Sequence, residues 1–237
     1  MDGRLMSIER SIKALVSHAG AAEPVYLQMT LMEPYVTKRN PVPVLFQLPN
    51  KLQSLLEREV CLVVRDPQQS VVDVLEKKGA PTEDLFKEII SVKKLKNRVR
   101  SKKQLDEFFK SFDLVVCDEK VSHLLPEILG AHFYKSGKNM PIPIKMAKPE
   151  SPKNSVDPKY VKYQLKAINH STALALTPGT CLSCLVGYTD MDTDRLVRNY
   201  QAIQKKLLEK FNGSKPKLTI RKIHVKTPES ASLPTYP

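Results

Sequence analysis

The chain has no tryptophan, only four cysteines and no long apolar run among its 237 residues. Four cysteines (Cys61, Cys117, Cys181, Cys184), embedded in apolar stretches, are too few for a disulfide scaffold. Without a run of some twenty apolar residues, or a lipidation motif, a membrane is not the expected partner. The first twenty residues carry no signal-peptide core, so a cytosolic or nuclear protein is expected. Phosphate-cradling glycines are missing from RDPQQS, the turn after the first buried run, and no P-loop, serine elbow or HExxH stands elsewhere. The histidines (His18, His123, His132, His170, His224) show no metal-site spacing. Cys181-Leu-Ser-Cys184 has the spacing of half a zinc site, but on a strand residues three apart face opposite ways. Buried structural cysteines are the expectation, with no metal, no cofactor and no catalysis.

What the chain does have is positive charge. Lys and Arg number 38 against 25 Asp and Glu, a formal charge of +13. Such an excess favours polyanions, nucleic acid first among them. Aromatics make up only 6% and most fall at expected core positions, Phe133 and Tyr134 included. That points to recognition of shape and backbone rather than to base stacking.

The apolar pattern changes twice along the chain. Ser7 to His18 puts Ile8, Ile12, Leu15 and Val16 on one helical face, with Ser7 as the cap. In VYLQMTLM, Val25, Leu27, Met29 and Leu31 alternate with Tyr26, Gln28 and Thr30, predicting a strand with one wet face. A basic turn TKRNP and the proline-rich PVPVLFQLPN follow. From Lys51, continuous apolar runs (CLVVRD, EIISV, DLVVCDE) alternate with helical periodicity, the pattern of a parallel sheet covered on both faces. After the polar AKPESPKNSVDP come a helix over 157–169, the strand CLSCLVGY, a helix from Asp192 to Phe211 and the strand LTIRKIHVKT. The expected fold class is α/β in two domains. Residues 1–50 and 147–237 form a discontinuous α+β domain, and 51–146 an inserted, Rossmann-like three-layer α/β domain.

Two basic stretches are candidate sites. VKKLKNRVRSKK carries Lys93, Lys94, Lys96, Arg98, Arg100, Lys102 and Lys103 without an acid. It reads as a loop that either contacts phosphate, with the arginines bidentate, or is merely solvated. On the last strand, alternation puts Arg221 with Ile223 and Val225, and Lys222, His224 and Lys226 together on the other, wetter face. Lys38 and Arg39 in the TKRNP turn add to this basic surface. Asp66 and Asp118 end buried runs and read as caps of the helices that follow them.

A series of landmarks then resembles the ribosomal protein L-one family over nearly the whole chain. Leu48-Pro49 comes first, then Leu114 to Asp118, Leu124-Leu125-Pro126 and Leu129-Gly130, which reads as a helix stop. Pro141-Ile142-Pro143, Val186-Gly187, Asn199 and Val225-Lys226-Thr227 complete it. The stretch from Lys93 to Lys103 and FYKSGKNMPIPI are similar to the family's eukaryotic ribosome-assembly branch. The resemblance implies a two-domain L-one-like fold and a non-catalytic, nucleolar protein that binds precursor ribosomal RNA. Its partners would be assembly factors and ribosomal proteins, and it would act as a monomer within a large ribonucleoprotein. It also carries Lys226, Thr227 and the segment Asn169, His170, Ser171 and Thr172 over as RNA contacts. A large-subunit stalk protein and a protein-docking module are the alternatives. Where ribosomal members have a Thr-Met-Gly turn, this chain has Thr227 followed by Pro228-Glu229-Ser230. Pro228 removes an N–H donor and Glu229 adds negative charge, so a different grip is expected.

Overall fold

In a computed structural model, which describes residues 2–20, 22–35, 42–52, 55–136, 140–152, 154–176, 179–212 and 219–236, the chain divides into two units. One is built from Met1–Thr37, Val44–Leu52 and His170–Pro237, the other from Gln53–Asn169 with the short piece 38–43. The expected TKRNP turn, with Lys38 and Arg39, lies outside the described residues. The return crossing falls at Asn169/His170, not near residue 147. Helix 157–169, assigned from sequence to the terminal domain, therefore belongs to the inserted unit. An amphipathic stripe says that a helix has a core to face, but not which core.

The terminal unit opens with α1 (Asp2–His18), which starts before Ser7, so Ser7 sits inside the helix rather than capping it. Next come β1 (Pro24–Tyr35) and β2 (Val44–Gln47), and, beyond the insertion, β7 (Ser171–Leu174) and β8 (Gly179–Tyr188). Helix α7 (Thr193–Asn212) and strands β9 (Ile220–Lys226) and β10 (Leu233–Tyr236) complete it. The main sheet runs β10-β9-β1-β8, and β2 pairs with β7 in a separate ribbon. Neither β7 nor β10 was expected from sequence. Strand β10 tolerates Pro234 because it is an edge strand of the sheet, the place where a missing N–H costs least.

One side of that sheet is covered. Val25, Leu27, Met29 and Leu31 of β1 join Leu182, Cys184, Val186, Ile223 and Val225 in one buried cluster. Ile8, Ile12 and Leu15 of α1 and Leu196, Tyr200, Ile203 and Leu207 of α7 pack into it. Gly187 lets α7 come this close, since a Cβ there would lie 2.5 Å from Leu196 Cδ2.

The inserted unit holds four parallel strands in the order β4-β3-β5-β6. They are β3 (Val60–Val64), β4 (Glu88–Ser91), β5 (Leu114–Asp118) and β6 (Ile142–Ile144). Helices α2 (Gln69–Leu75), α3 (Val92–Arg98), α4 (Lys102–Lys110), α5 (Leu125–Ser136) and α6 (Pro158–Asn169) flank them. Every residue of β3 and β5 is buried, and the sheet separates two cores. Val60, Leu62 and Val64 meet Leu75 of α2 and Val161, Leu165 and Ile168 of α6. Cys61 and Val63 meet Leu95 of α3, Phe108 of α4 and Leu125, Leu129 and Phe133 of α5. This is the mixed α/β fold expected from the sequence. At the expected stop, Gly130 (φ 59°) breaks the helical backbone, yet the helix resumes and runs to Ser136.

Candidate nucleic-acid interface

Antiparallel pairing assembles a polar surface on the uncovered side of the terminal sheet. The register sets Lys226 opposite Tyr26, His224 opposite Gln28 and Lys222 opposite Thr30. On the other side of β1, the same three residues face Leu185, Ser183 and Cys181. Lys222, Ser183 and Cys181 are exposed, while Lys226, His224, Tyr26, Gln28 and Thr30 are half-buried. None of these facing residues is acidic. Burial, and then the neighbouring Tyr188, push the Tyr26 phenol above its ordinary value. A face of cations, amide and hydroxyls without a carboxylate suits phosphate and sugar contacts. Sequence reasoning placed Lys222, His224 and Lys226 together but did not enlist Tyr26, Gln28 and Thr30. The alternation of VYLQMTLM already marked them as the wet side of β1, and only the register was missing.

The other residues assigned to this site are not all at the surface. Thr227 is 1% exposed and its backbone N–H donates to Ser230 Oγ at 2.8 Å. Ser230, in the stretch that replaces the Thr-Met-Gly turn, thus closes the turn internally. Thr172 is 3% exposed, 3.5 Å from Cys184 Sγ. Asn169, at 4%, accepts from Arg58 Nη1. Burial leaves these three side chains no surface to offer a polyanion; of that segment His170 is exposed and Ser171 half-buried.

The basic stretch of the inserted unit is a pair of short helices rather than a loop. Ser91 Oγ accepts from Lys94 N and caps α3, and Ser101 and Gln104 form a capping box on α4. All seven cations are exposed, but they are not equivalent. Both Glu88 carboxylate oxygens accept from Arg98 Nη1, at 2.5 and 2.6 Å, and the guanidinium lies 5.5 Å from the Phe108 ring centroid. Arg100 donates to Asn97 Oδ1. Lys93, Lys94, Lys96, Lys102 and Lys103 form no ion pair among the described residues. Arg98, a predicted phosphate fork, is spent on bracing α3 against β4 and α4.

Open parallel sheets bind ligands where the strand order reverses, at the carboxyl ends, which here means between β3 and β5. At that position the chain's own side chains bond to one another. Asp118, 3% exposed, accepts from Arg65 Nε at 3.3 Å and caps the following turn through Lys120 N. Asn154, held at φ 69°, accepts from Arg65 Nη2. Asp66 accepts from Lys93 N and so caps α3, not the helix next after it in sequence. Cys181 and Cys184 face opposite sides of β8, the first exposed and the second buried. The expectation of burial fails for Cys181, and the pair cannot form half a zinc site. Among the described residues no cluster of potential metal ligands is found, and no helix is long and apolar enough to cross a membrane.

An antiparallel sheet with one open basic face, interrupted by a parallel three-layer α/β unit with a lysine-rich helix pair, defines a two-unit α/β protein. Residues 10–231 match the Ribosomal protein L1p/L10e family, and the chain belongs to that family. It is 38% identical to the Saccharomyces cerevisiae "Ribosome biogenesis protein UTP30", over 78% of this chain and 70% of that one. It is 28% identical to the Schizosaccharomyces pombe protein C306.07c, over 97% and 78%. It is 25% identical to the mouse "Ribosomal L1 domain-containing protein 1", over 75% of this chain but 38% of the mouse one. These similarities set the chain with the family's ribosome-biogenesis branch.

Proposed function

We propose that this protein is a non-catalytic ribosome biogenesis factor that holds a segment of precursor ribosomal RNA within a pre-ribosomal particle in the nucleolus. The observation that carries this reading is the acid-free wet face of the terminal sheet, where Lys222, His224 and Lys226 stand in register with Thr30, Gln28 and Tyr26. The yeast relative's description as a ribosome biogenesis protein supports the same role. Cations on a strand surface neutralise phosphate, and Gln28, Thr30 and Tyr26 can bond sugar and phosphate oxygens. Lys93, Lys94, Lys96, Lys102 and Lys103 supply a second phosphate-contacting surface on the inserted unit. The internally satisfied strand ends of the parallel sheet favour binding over catalysis. The protein acts as a monomer, with assembly factors and ribosomal proteins as its neighbours in the particle.

The test is ultraviolet crosslinking of the tagged protein in cells, followed by sequencing of the attached RNA. Crosslinks to transcribed spacers or immature ribosomal RNA are expected. Crosslinks confined to mature large-subunit RNA would make it a resident ribosomal protein instead. Recovery of partner proteins with no crosslinked RNA would leave a docking module.

A further inference from the structure

Helix α6 carries a surface that the reading above does not use. Its inner side buries Val161, Leu165 and Ile168 against the parallel sheet. The opposite side presents Lys159, Tyr163 and Lys166, spaced i, i+4, i+7 along one stripe, with half-buried Lys162 beside them. Tyr163 is 69% exposed. A ring that size left in water forgoes burial free energy that a core position would give it, as Tyr200 receives in the terminal unit. The helix itself contains no acid. Asp157, just before it, is engaged as its cap, Oδ1 accepting from Lys159 N and Tyr160 N. None of the three α6 lysines has an ion pair among the described residues.

The platform is held firmly. Gln164, adjacent to the tyrosine, accepts from Lys145 N at 2.9 Å and donates to Lys145 O at 2.6 Å, tying the helix to the end of β6. Lys145 is itself exposed. An aromatic ring standing clear of a fixed helix, with a cation one turn to either side, suits a nucleotide: the base takes the ring face and the phosphates take the lysines. A duplex offers no free base face, so the occupant is single-stranded.

We propose that Lys159, Tyr163 and Lys166 form a stacking site for an unpaired RNA nucleotide, Tyr163 packing against the base and the lysines contacting its flanking phosphates. This rests on the RNA-binding reading and adds a single-strand contact to a protein whose low aromatic content argued against one.

The experiment titrates the full chain with a labelled single-stranded oligouridine and, separately, with an RNA duplex of the same length, at several salt concentrations. Tyr163→Ala should weaken oligouridine binding about tenfold or more, leave the salt slope unchanged and leave duplex binding unaffected. Tyr163→Phe should bind as the parent does, because a stacked ring does not need its hydroxyl. Lys159→Glu with Lys166→Glu should weaken binding and also flatten the salt slope. If the parent binds oligouridine and Tyr163→Ala binds it equally, the stacking site is wrong while the RNA-binding reading stands. Equal losses for oligouridine and duplex would likewise overturn stacking. A parent chain that binds neither RNA would bring down the RNA-binding reading and this site with it.

Discussion

Among the described residues the two larger sheets are each four strands wide, yet they offer a ligand quite different things. The antiparallel sheet, among the described residues, is packed by helices on one side, and on the other Lys222, His224 and Lys226 line up with β1 residues as a continuous face. The parallel sheet is sandwiched, and its apolar strand residues divide between two cores, leaving only Glu88 of β4 and Pro143 of β6 half-buried. A ligand of the inserted unit therefore meets helices and loops rather than strands, and the lysine clusters described above are on α3, α4 and α6. Strand polarity, through the crossover helices that parallel pairing requires, decides which kind of element can carry a binding site.

The contrast breaks most visibly if a charge is placed on a strand of each sheet. Val63→Lys puts an ammonium where no exposed face exists, and an unpaired buried charge costs several kcal/mol. The inserted unit should lose its cooperative unfolding transition. Gln28→Lys sits on the wet face of β1 and should change stability by less than about 0.5 kcal/mol. Denaturant unfolding followed by circular dichroism reads both. A folded Val63→Lys protein of near-parental stability would mean that the parallel sheet has an open side.

The cysteines sharpen the same contrast. Cys61 and Cys117 are buried in the parallel sheet, whereas the antiparallel sheet holds one buried thiol, Cys184, and one exposed, Cys181. A thiol reagent should label Cys181 alone in the native protein and all four after unfolding. Burial pushes Cys117 and Cys184 up to about 12 from an ordinary 9.0, and raises Cys61 as well. Between those values the unfolded chain has released protons that the folded one keeps, so stability falls as pH rises above 9. Each such thiol steepens that loss by up to about 1.4 kcal/mol per pH unit. Cys117→Ala should flatten the alkaline limb of the stability curve by about that slope; an unaltered limb would mean that Cys117 is accessible when folded.

The sequence was most legible where pattern and packing coincide. Continuous apolar runs marked β3 and β5, and alternation marked β1 together with the face that Tyr26, Gln28 and Thr30 share. The family landmarks Val186 and Asn199, and Asn50 just after Leu48-Pro49, are far apart in the chain but meet in one place. Asn199, fully buried, donates from Nδ2 to Asn50 O and Val186 O, and its Oδ1 accepts from Asn50 N, each at 3.0 Å. Those landmarks therefore record a structural knot rather than a binding site. Strand β7 was not legible because its four residues follow directly on α6 and owe their extension to pairing with β2. Strand β10 was not legible because Pro234 hides it among turn residues. The burial of Thr172 and Thr227, and the engagement of Arg98 by Glu88, depend on neighbours that no local pattern reveals.

That last engagement yields the smallest of these effects and the most discriminating. If a binding surface on helices is built from unpartnered cations, then cations of one stretch should separate by partner and not by charge. Arg98 has Glu88 and the Phe108 ring, and both it and Glu88 are partly exposed (side chains 42% and 33%). Arg98→Ala should cost about 1 kcal/mol, since a solvent-screened pair and a partly wet ring contact are each worth that or less. It should leave RNA affinity nearly unchanged. Lys93→Ala with Lys96→Ala removes charges that hold nothing in place. Stability should be unaffected, while the salt slope of RNA binding falls by about one for every phosphate no longer neutralised. Thermal unfolding and salt-dependent binding titrations on the two variants give a cross-over pattern if the division is right. Should Arg98→Ala weaken binding as much as the lysine pair does while leaving stability intact, the guanidinium leaves Glu88 for phosphate, and α3 binds through every cation it has.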